Sequence, residues 1–226
     1  MSAGNPSSNS GVGQSGTNPQ PARSHAKKNA LVRAAVALWR KNGYAATTVA
    51  DISSEAGVSE ALFYFYYPSK EDLLFELGAQ STRDVQIEIE QRLREPYELA
   101  DVIVAALTVL EKELRLNPPE LIIEAVLEAT RQEHRTQASL KPYKRMSPLF
   151  GKLFERARAD GKLSQRVDVR HLATLTQAVV SDGTRRWVAG AYGDRSYALA
   201  ISDDVNALVI GFNQLAEAAG PDDANA

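Results

Sequence analysis

At 226 residues the chain can hold a small domain and a larger one, and without a single cysteine it carries no disulfide and no thiolate metal site. A formal net charge of −2 argues against a protein that coats nucleic acid by bulk positive charge. No apolar run reaches transmembrane length, the N-terminus lacks the apolar segment of a secretion signal, and the composition fits a reducing, cytoplasmic location.

Residues 1–22 are Ser, Gly, Asn, Pro and Gln with almost nothing apolar, and read as a disordered tail. From Arg23 to Lys41 the chain holds six basic residues and no acid, a local positive stripe that the net charge conceals. A helix is predicted from about Ser24 to Asn42. Its apolar stripe is Ala30, Leu31, Ala34, Ala35, Leu38 and Trp39, and Gly43 ends it.

Two short helices follow. Thr48 stands where it can cap the first, with Asp51 an acid in the first turn facing the positive end of the helix dipole. That helix runs to about Ala56, and Gly57 supplies the left-handed backbone that stops it. Val58 is expected to tuck the turn inward, and Ser59 caps the second helix. Ile52, Ala56, Val58 and Phe63 are its predicted buried contacts, while Ser59, Glu60, Leu62, Tyr64 and Tyr66 are expected to face outward. Such a compact pair is the helix-turn-helix, whose second helix enters the DNA major groove. An ordinary helical hairpin would leave several exposed aromatics in a row unexplained.

A connector helix is expected from Ser69 or Lys70 to about Arg94, stopped by Pro96. The remainder reads as helix throughout. Stripes run over Leu99–Leu114, over Leu121–Ala129 and from near Asp168 through Trp187, and a last helix is expected over Ser202–Ala219. The pattern from Thr136 to Asp160 is broken at Pro142 and Pro148, and broken helices mark places where a bundle deforms.

Residues 31–77 resemble the DNA-binding domain of the TetR family of bacterial transcriptional regulators. The matching residues are Ala34-Ala35, Leu38, Gly43-Tyr44, Thr47-Thr48, Ile52, Ala56-Gly57-Val58-Ser59, Phe63-Tyr64, Tyr67, Ser69-Lys70 and Leu73-Leu74, over about a fifth of the chain. Departures are Glu60, Leu62, Pro68 and Ser53, which leave the motif intact but put the base sequence it reads out of reach. The resemblance implies an all-α fold: an N-terminal three-helix helix-turn-helix domain (23–70), a C-terminal helical bundle for ligand binding and dimerisation (71–220) and a flexible end (221–226). It also implies phosphate contacts from Thr48, Tyr64 and Lys70. Ser59, Glu60, Leu62 and Tyr66 are the candidates for base reading, Ala61 lies on the same helix, and Lys27 and Lys28 belong to a basic arm.

In the second domain the candidates for a mainly apolar effector are Ile122, Val126, Tyr143, Phe150, Phe154, Gln177, Val180 and Trp187. The resemblance implies a homodimer through the last helices. The candidates there are Leu172, Val179, Gly183, Val205, Leu208, Phe212 and Leu215, with two heads set on a palindromic DNA operator. No catalytic residue, cofactor or metal site is expected: His25, His134 and His171 are scattered, and there is neither a Gly-rich phosphate loop nor a nucleophile elbow. The expected function is an effector-released repressor. An activator and a ligand-independent architectural DNA-binding protein stay open as alternatives.

Overall fold

A computed structural model describes Met1, residues 20–138 and residues 149–218. Among these described residues there are helices and no strand. In chain order they are α1 (Gln20–Asn42), α2 (Val49–Glu55), α3 (Glu60–Tyr66), α4 (Lys70–Arg92) and α5 (Leu99–Arg115). Then come α6 (Pro119–Ala138), α7 (Gly151–Ala159), α8 (Val169–Val188) and α9 (Tyr197–Ala218). The terminal tail at 2–19, the end at 221–226 and the breaks at Pro142 and Pro148 lie outside the described residues. Helix α1 starts at Gln20, inside the stretch expected to be tail. Pro21 falls in its first turn, where a missing N–H leaves no helical bond unmade.

The apolar residues separate into two cores. The first gathers Leu31, Ala35 and Trp39 of α1, Ile52 of α2, Phe63 of α3, and Leu73 and Leu74 of α4. Fully burying a side chain of this size contributes about 1.5–3 kcal/mol. Leu121 of α6 enters this core as well, with Ala125 packed at its edge, so the head is seated on the body and not merely tethered to it. The second core is larger. It joins Val85 and Ile89 of α4, Val102, Ile103, Ala106 and Leu107 of α5, Leu153 and Phe154 of α7, Leu172 of α8, and Tyr197, Ile201 and Val205 of α9.

Helix α4 belongs to both cores. Its 23 residues span about 34 Å at 1.5 Å per residue. Ser69 caps it, accepting from Asp72 N at 3.2 Å. Leu73 and Leu74 close the head, and the helix then crosses to the body through Val85 and Ile89. The head's apolar core thus continues past residue 70 into the first turns of the connector.

Helix α9 begins at Tyr197, five residues ahead of the start expected at Ser202. Its N-terminus is held by a distant carboxylate: Glu111 Oε2 accepts from Ala198 N at 2.9 Å. Gly183 permits the approach of α8 to α9, because a Cβ there would run into the Ile201 side chain.

Candidate nucleic-acid interface and effector cavity

The geometry of the head follows from local hydrogen bonds. Thr48 and Asp51 form a capping box. Asp51 N donates to Thr48 Oγ1 at 3.1 Å, and Thr48 N donates to Asp51 Oδ2 at 2.8 Å. The Thr48 hydroxyl adds a donor to the same carboxylate and holds Asp51 below the usual aspartate range. At the far end Gly57 takes φ +65°, and Val58 N returns to Ser53 O at 3.0 Å. Ser59 then caps α3, accepting from Leu62 N at 3.3 Å. Each such cap contributes on the order of 1 kcal/mol, and in series they fix the angle between α2 and α3.

On α3, Phe63 is wholly buried. Ser59, Glu60, Ala61, Tyr64 and Phe65 are exposed, and Leu62 is half-buried. Tyr64 is 52% and Phe65 77% exposed, and Phe65 was not among the sequence candidates. Tyr66 departs from its expected outward setting. It is half-buried against the head core, with its hydroxyl 2.8 Å from Ser24 Oγ of α1.

The cations divide similarly. Lys70 Nζ donates to Tyr44 O and to Thr47 O, both at 2.9 Å, and lies 4.3 Å from the Tyr44 ring centroid. It staples the α1–α2 loop onto α4, with one ammonium proton left over for another acceptor. Tyr44 OH donates to Glu71 at 3.1 Å, and its phenol is pushed up by burial first and by that carboxylate second. Lys28 is drawn to Glu76 at 3.6 Å and lies over the Tyr67 ring, whereas Lys27 is exposed. Arg40 reaches across to the body, donating to Asn117 Oδ1 from Nε at 3.4 Å and from Nη2 at 3.2 Å.

Asn117 also lines a cavity of about 160 Å³ enclosed by α4, α5, α6 and α8. Its wall is mostly aliphatic: Leu110 and Leu114 of α5, Leu121, Ile122, Ala125, Val126 and Ala129 of α6, and Val180 of α8. Helix α4 supplies a full side, from Leu74, Phe75 and Leu77 to Ser81 and Thr82. Several polar wall groups are already engaged. Gln177 Oε1 accepts from Leu149 N at 3.2 Å, Thr184 Oγ1 donates to Val180 O at 2.8 Å, and Asn117 Nδ2 donates to Glu113 O at 3.1 Å. The space therefore offers methyl groups more than hydrogen bonds.

The cavity brings together Ile122, Val126, Gln177 and Val180 of the sequence candidates. Phe150 and Phe154 are not in its wall: both are wholly buried, stacked at 6.0 Å in the body core. Trp187 is also elsewhere, packed edge-on to Tyr197 and covered by the Arg115 guanidinium. Tyr143 lies outside the described residues. What sequence reasoning missed is the α4 side of the wall, whose residues read simply as connector.

The dimer candidates divide by burial. Leu172 and Val205 are wholly buried in the protomer's own core, and Gly183 is closed against Ile201, so none of the three offers a surface to a partner. Val179, Leu208 and Phe212 are partly open, and Leu215 is 73% exposed. Leu199 and Ile210 of α9 are exposed too, at 55% and 56%. Among the described residues no group of His, Cys, Asp or Glu gathers as a metal site, and no helix is long and apolar enough to cross a membrane.

Residues 31–77, the span that builds the head, match the model of bacterial regulatory proteins of the tetR family. Over these residues the chain carries a DNA-binding domain of the TetR family type. It is a DNA-binding transcriptional regulator, and the head is its helix-turn-helix. A 48-residue stretch is 44% identical to YerO, an uncharacterized HTH-type transcriptional regulator of Bacillus subtilis (strain 168); it spans 21% of this chain and 17% of that protein. A longer likeness, 26% identity over 187 residues, links the chain to the fatty acid metabolism regulator protein of Bacillus subtilis (strain 168), over 80% of this chain and 92% of the relative. Among solved structures, Thermus thermophilus FadR, a TetR-family transcriptional repressor in complex with lauroyl-CoA, matches with a TM-score of 0.66 at 23% identity, over 81% of this chain and 93% of that one. FadR from Bacillus subtilis, in complex with stearoyl-CoA, matches with a TM-score of 0.58 at 19% identity, over 81% and 98%. These likenesses show a shared fold of head and helical body.

Proposed function

We propose that this protein is a repressor that binds a palindromic operator as a homodimer and leaves it when a long-chain acyl compound enters the cavity of the body. One observation carries the reading: the α4 segment from Leu74 to Thr82 walls the cavity, while Leu73 and Leu74 of the same helix close the core of the head. An occupant that spreads this wall displaces a helix the head cannot ignore. Asn117 and Leu121 give a second connection, since both line the cavity while one accepts from Arg40 and the other sits in the head core. An effector acts this way only if it prefers the arrangement that does not fit DNA.

The acyl class is supported by the aliphatic wall and by the relatives, a fatty acid metabolism regulator and two FadR structures with acyl-CoA bound. In the dimer, Val179, Leu208, Phe212 and Leu215, joined by Leu199 and Ile210, form the surface offered to the second protomer. The two heads then meet half-sites about 34–36 Å apart. On DNA, Thr48, Tyr64 and the third proton of Lys70 hold phosphates, with Lys27 adding charge.

The test starts from duplexes selected out of a random pool by the full-length protein. Fluorescence anisotropy on the selected site is then followed while lauroyl-CoA, stearoyl-CoA or the free fatty acids are added. Release by an acyl compound at micromolar concentration supports the reading. Retention of DNA throughout the series, with no thermal shift from any of them, overturns the acyl assignment.

A further inference from the structure

Helix α3 has the sequence Glu-Ala-Leu-Phe-Tyr-Phe-Tyr, without a lysine, arginine, asparagine or glutamine. Those four side chains make the usual bidentate contacts in the major groove, the cations to guanine and the amides to adenine. The head must read its site by other means. The remaining polar groups are few. Ser59 accepts from Leu62 N, the Tyr66 hydroxyl is held at Ser24, the exposed Tyr64 hydroxyl is assigned to a phosphate in the proposed complex, and Glu60 can only accept.

What α3 does present is carbon. Phe65 is 77% exposed, far more than Leu62, which is half-buried. Its ring is braced by Tyr66, which meets it edge-on with centroids 5.2 Å apart. Ala61 lies one turn earlier on the same face and is exposed as well. Phe65 with the neighbouring Tyr64, 52% exposed, and Ala61 makes a continuous apolar patch, and such a patch marks a contact with another molecule. In the major groove the one apolar feature of a base edge is the 5-methyl group of thymine.

We infer that the head reads its operator chiefly through thymine methyl groups, with Phe65 as the residue that covers them. This rests on the reading of α3 as the helix that enters the groove. A methyl group is worth about fourfold in affinity when buried at such a contact.

The experiment replaces thymine by deoxyuridine, one position at a time, in the site selected from random duplexes. Binding is measured for the full-length protein and for Phe65→Ala and Phe65→Leu. The expected result is a loss of about fourfold for the unaltered protein at one or two thymines per half-site. Phe65→Ala should bind the thymine site more weakly and be indifferent to the replacement there. Phe65→Leu should recover part of the sensitivity. Because Phe65 is exposed, all three proteins should melt alike. A selected site that binds equally well with uracil throughout, or a Phe65→Ala protein as sensitive as the original, overturns this inference and leaves the DNA-binding head standing. Failure to enrich any sequence at all would overturn the reading of α3 and the inference with it.

Discussion

Head and body are both helical, yet they are built to different requirements. The head is short in sequence and closed: successive caps at Thr48, Ser59 and Ser69 fix three helix starts, and Lys70 staples the loop between. The body is long and left open by a cavity whose wall includes the helix that enters the head. A reading device has to keep its shape on DNA, whereas a sensing device has to change shape around its ligand. Helix α4 is part of both, and on the proposed mechanism it carries a change in one region to the other.

The sharpest way to break this contrast is to open the head. Phe63→Ala leaves a hole in a core with few residues, and is expected to cost about 3–5 kcal/mol. DNA binding should vanish in anisotropy measurements, while calorimetry still records the melting of the body. If both transitions fell together, the two cores would be one cooperative unit. Lys70→Ala removes two charge-assisted bonds to loop carbonyls, and about 1.5–3 kcal/mol of head stability is expected to go with them. Gel shifts on matched and scrambled sites should weaken equally for Lys70→Ala and for Tyr64→Phe, whereas Glu60→Ala should alter the preference between sites.

The body is tested next. Gly183→Ala forces a methyl group against Ile201 and is expected to lower stability by about 1–3 kcal/mol in denaturant unfolding. Because α8 and α9 also carry the proposed dimer surface, that variant should weaken DNA binding only through the dimer, and the head's own melting should be unchanged. Ala129→Phe fills the cavity from α6. Affinity for DNA should stay within twofold of the original while release by acyl compounds needs at least tenfold more ligand, a loss of about 1.4 kcal/mol. The smallest effect concerns pH. Burial pushes the Glu111 carboxyl up, but bonds from Ala198 N and Arg115 outweigh it and hold the group below the usual glutamate range. Its folded pKa is therefore depressed, and its contribution is present above the unfolded value of about 4.3 and disappears as pH falls through the folded value. The stability gap between the original protein and Glu111→Gln should accordingly hold from pH 7 down to about pH 5 and narrow only as pH falls below about 4 in urea titrations.

The contrast also explains what the sequence made legible. The head could be read residue by residue because its determinants are local: Thr48 with Asp51 three residues on, Gly57 at the turn, Ser59 at the next start. The start of α9 carries a local signal that was passed over, Ser196 Oγ accepting from Leu199 N at 3.2 Å, and a second bond that no local pattern shows, from Ala198 N to the Glu111 carboxylate far away in the chain. Helical periodicity identified Leu172 and Val205 as apolar-stripe residues but could not say whether the stripe faced its own core or a partner. Phe150 and Phe154 were candidates for the cavity for the same reason, and packing placed them in the core instead. Tyr66 fell between the two cases, since its outward spacing on α3 was overruled by a hydroxyl partner on α1. The α4 side of the cavity is created only when four helices assemble, and no spacing rule announces it.

The most direct test of coupling between cavity and reading head is a distance between the two heads of the proposed dimer. The chain has no cysteine, so Lys41→Cys on the exposed end of α1 gives one spin-label site per protomer. Pulsed dipolar spectroscopy on operator DNA, with and without an acyl compound that releases it, should show the inter-head distance shifting by several ångströms as DNA leaves. Release of DNA with the distance distribution unchanged would contradict transmission through α4.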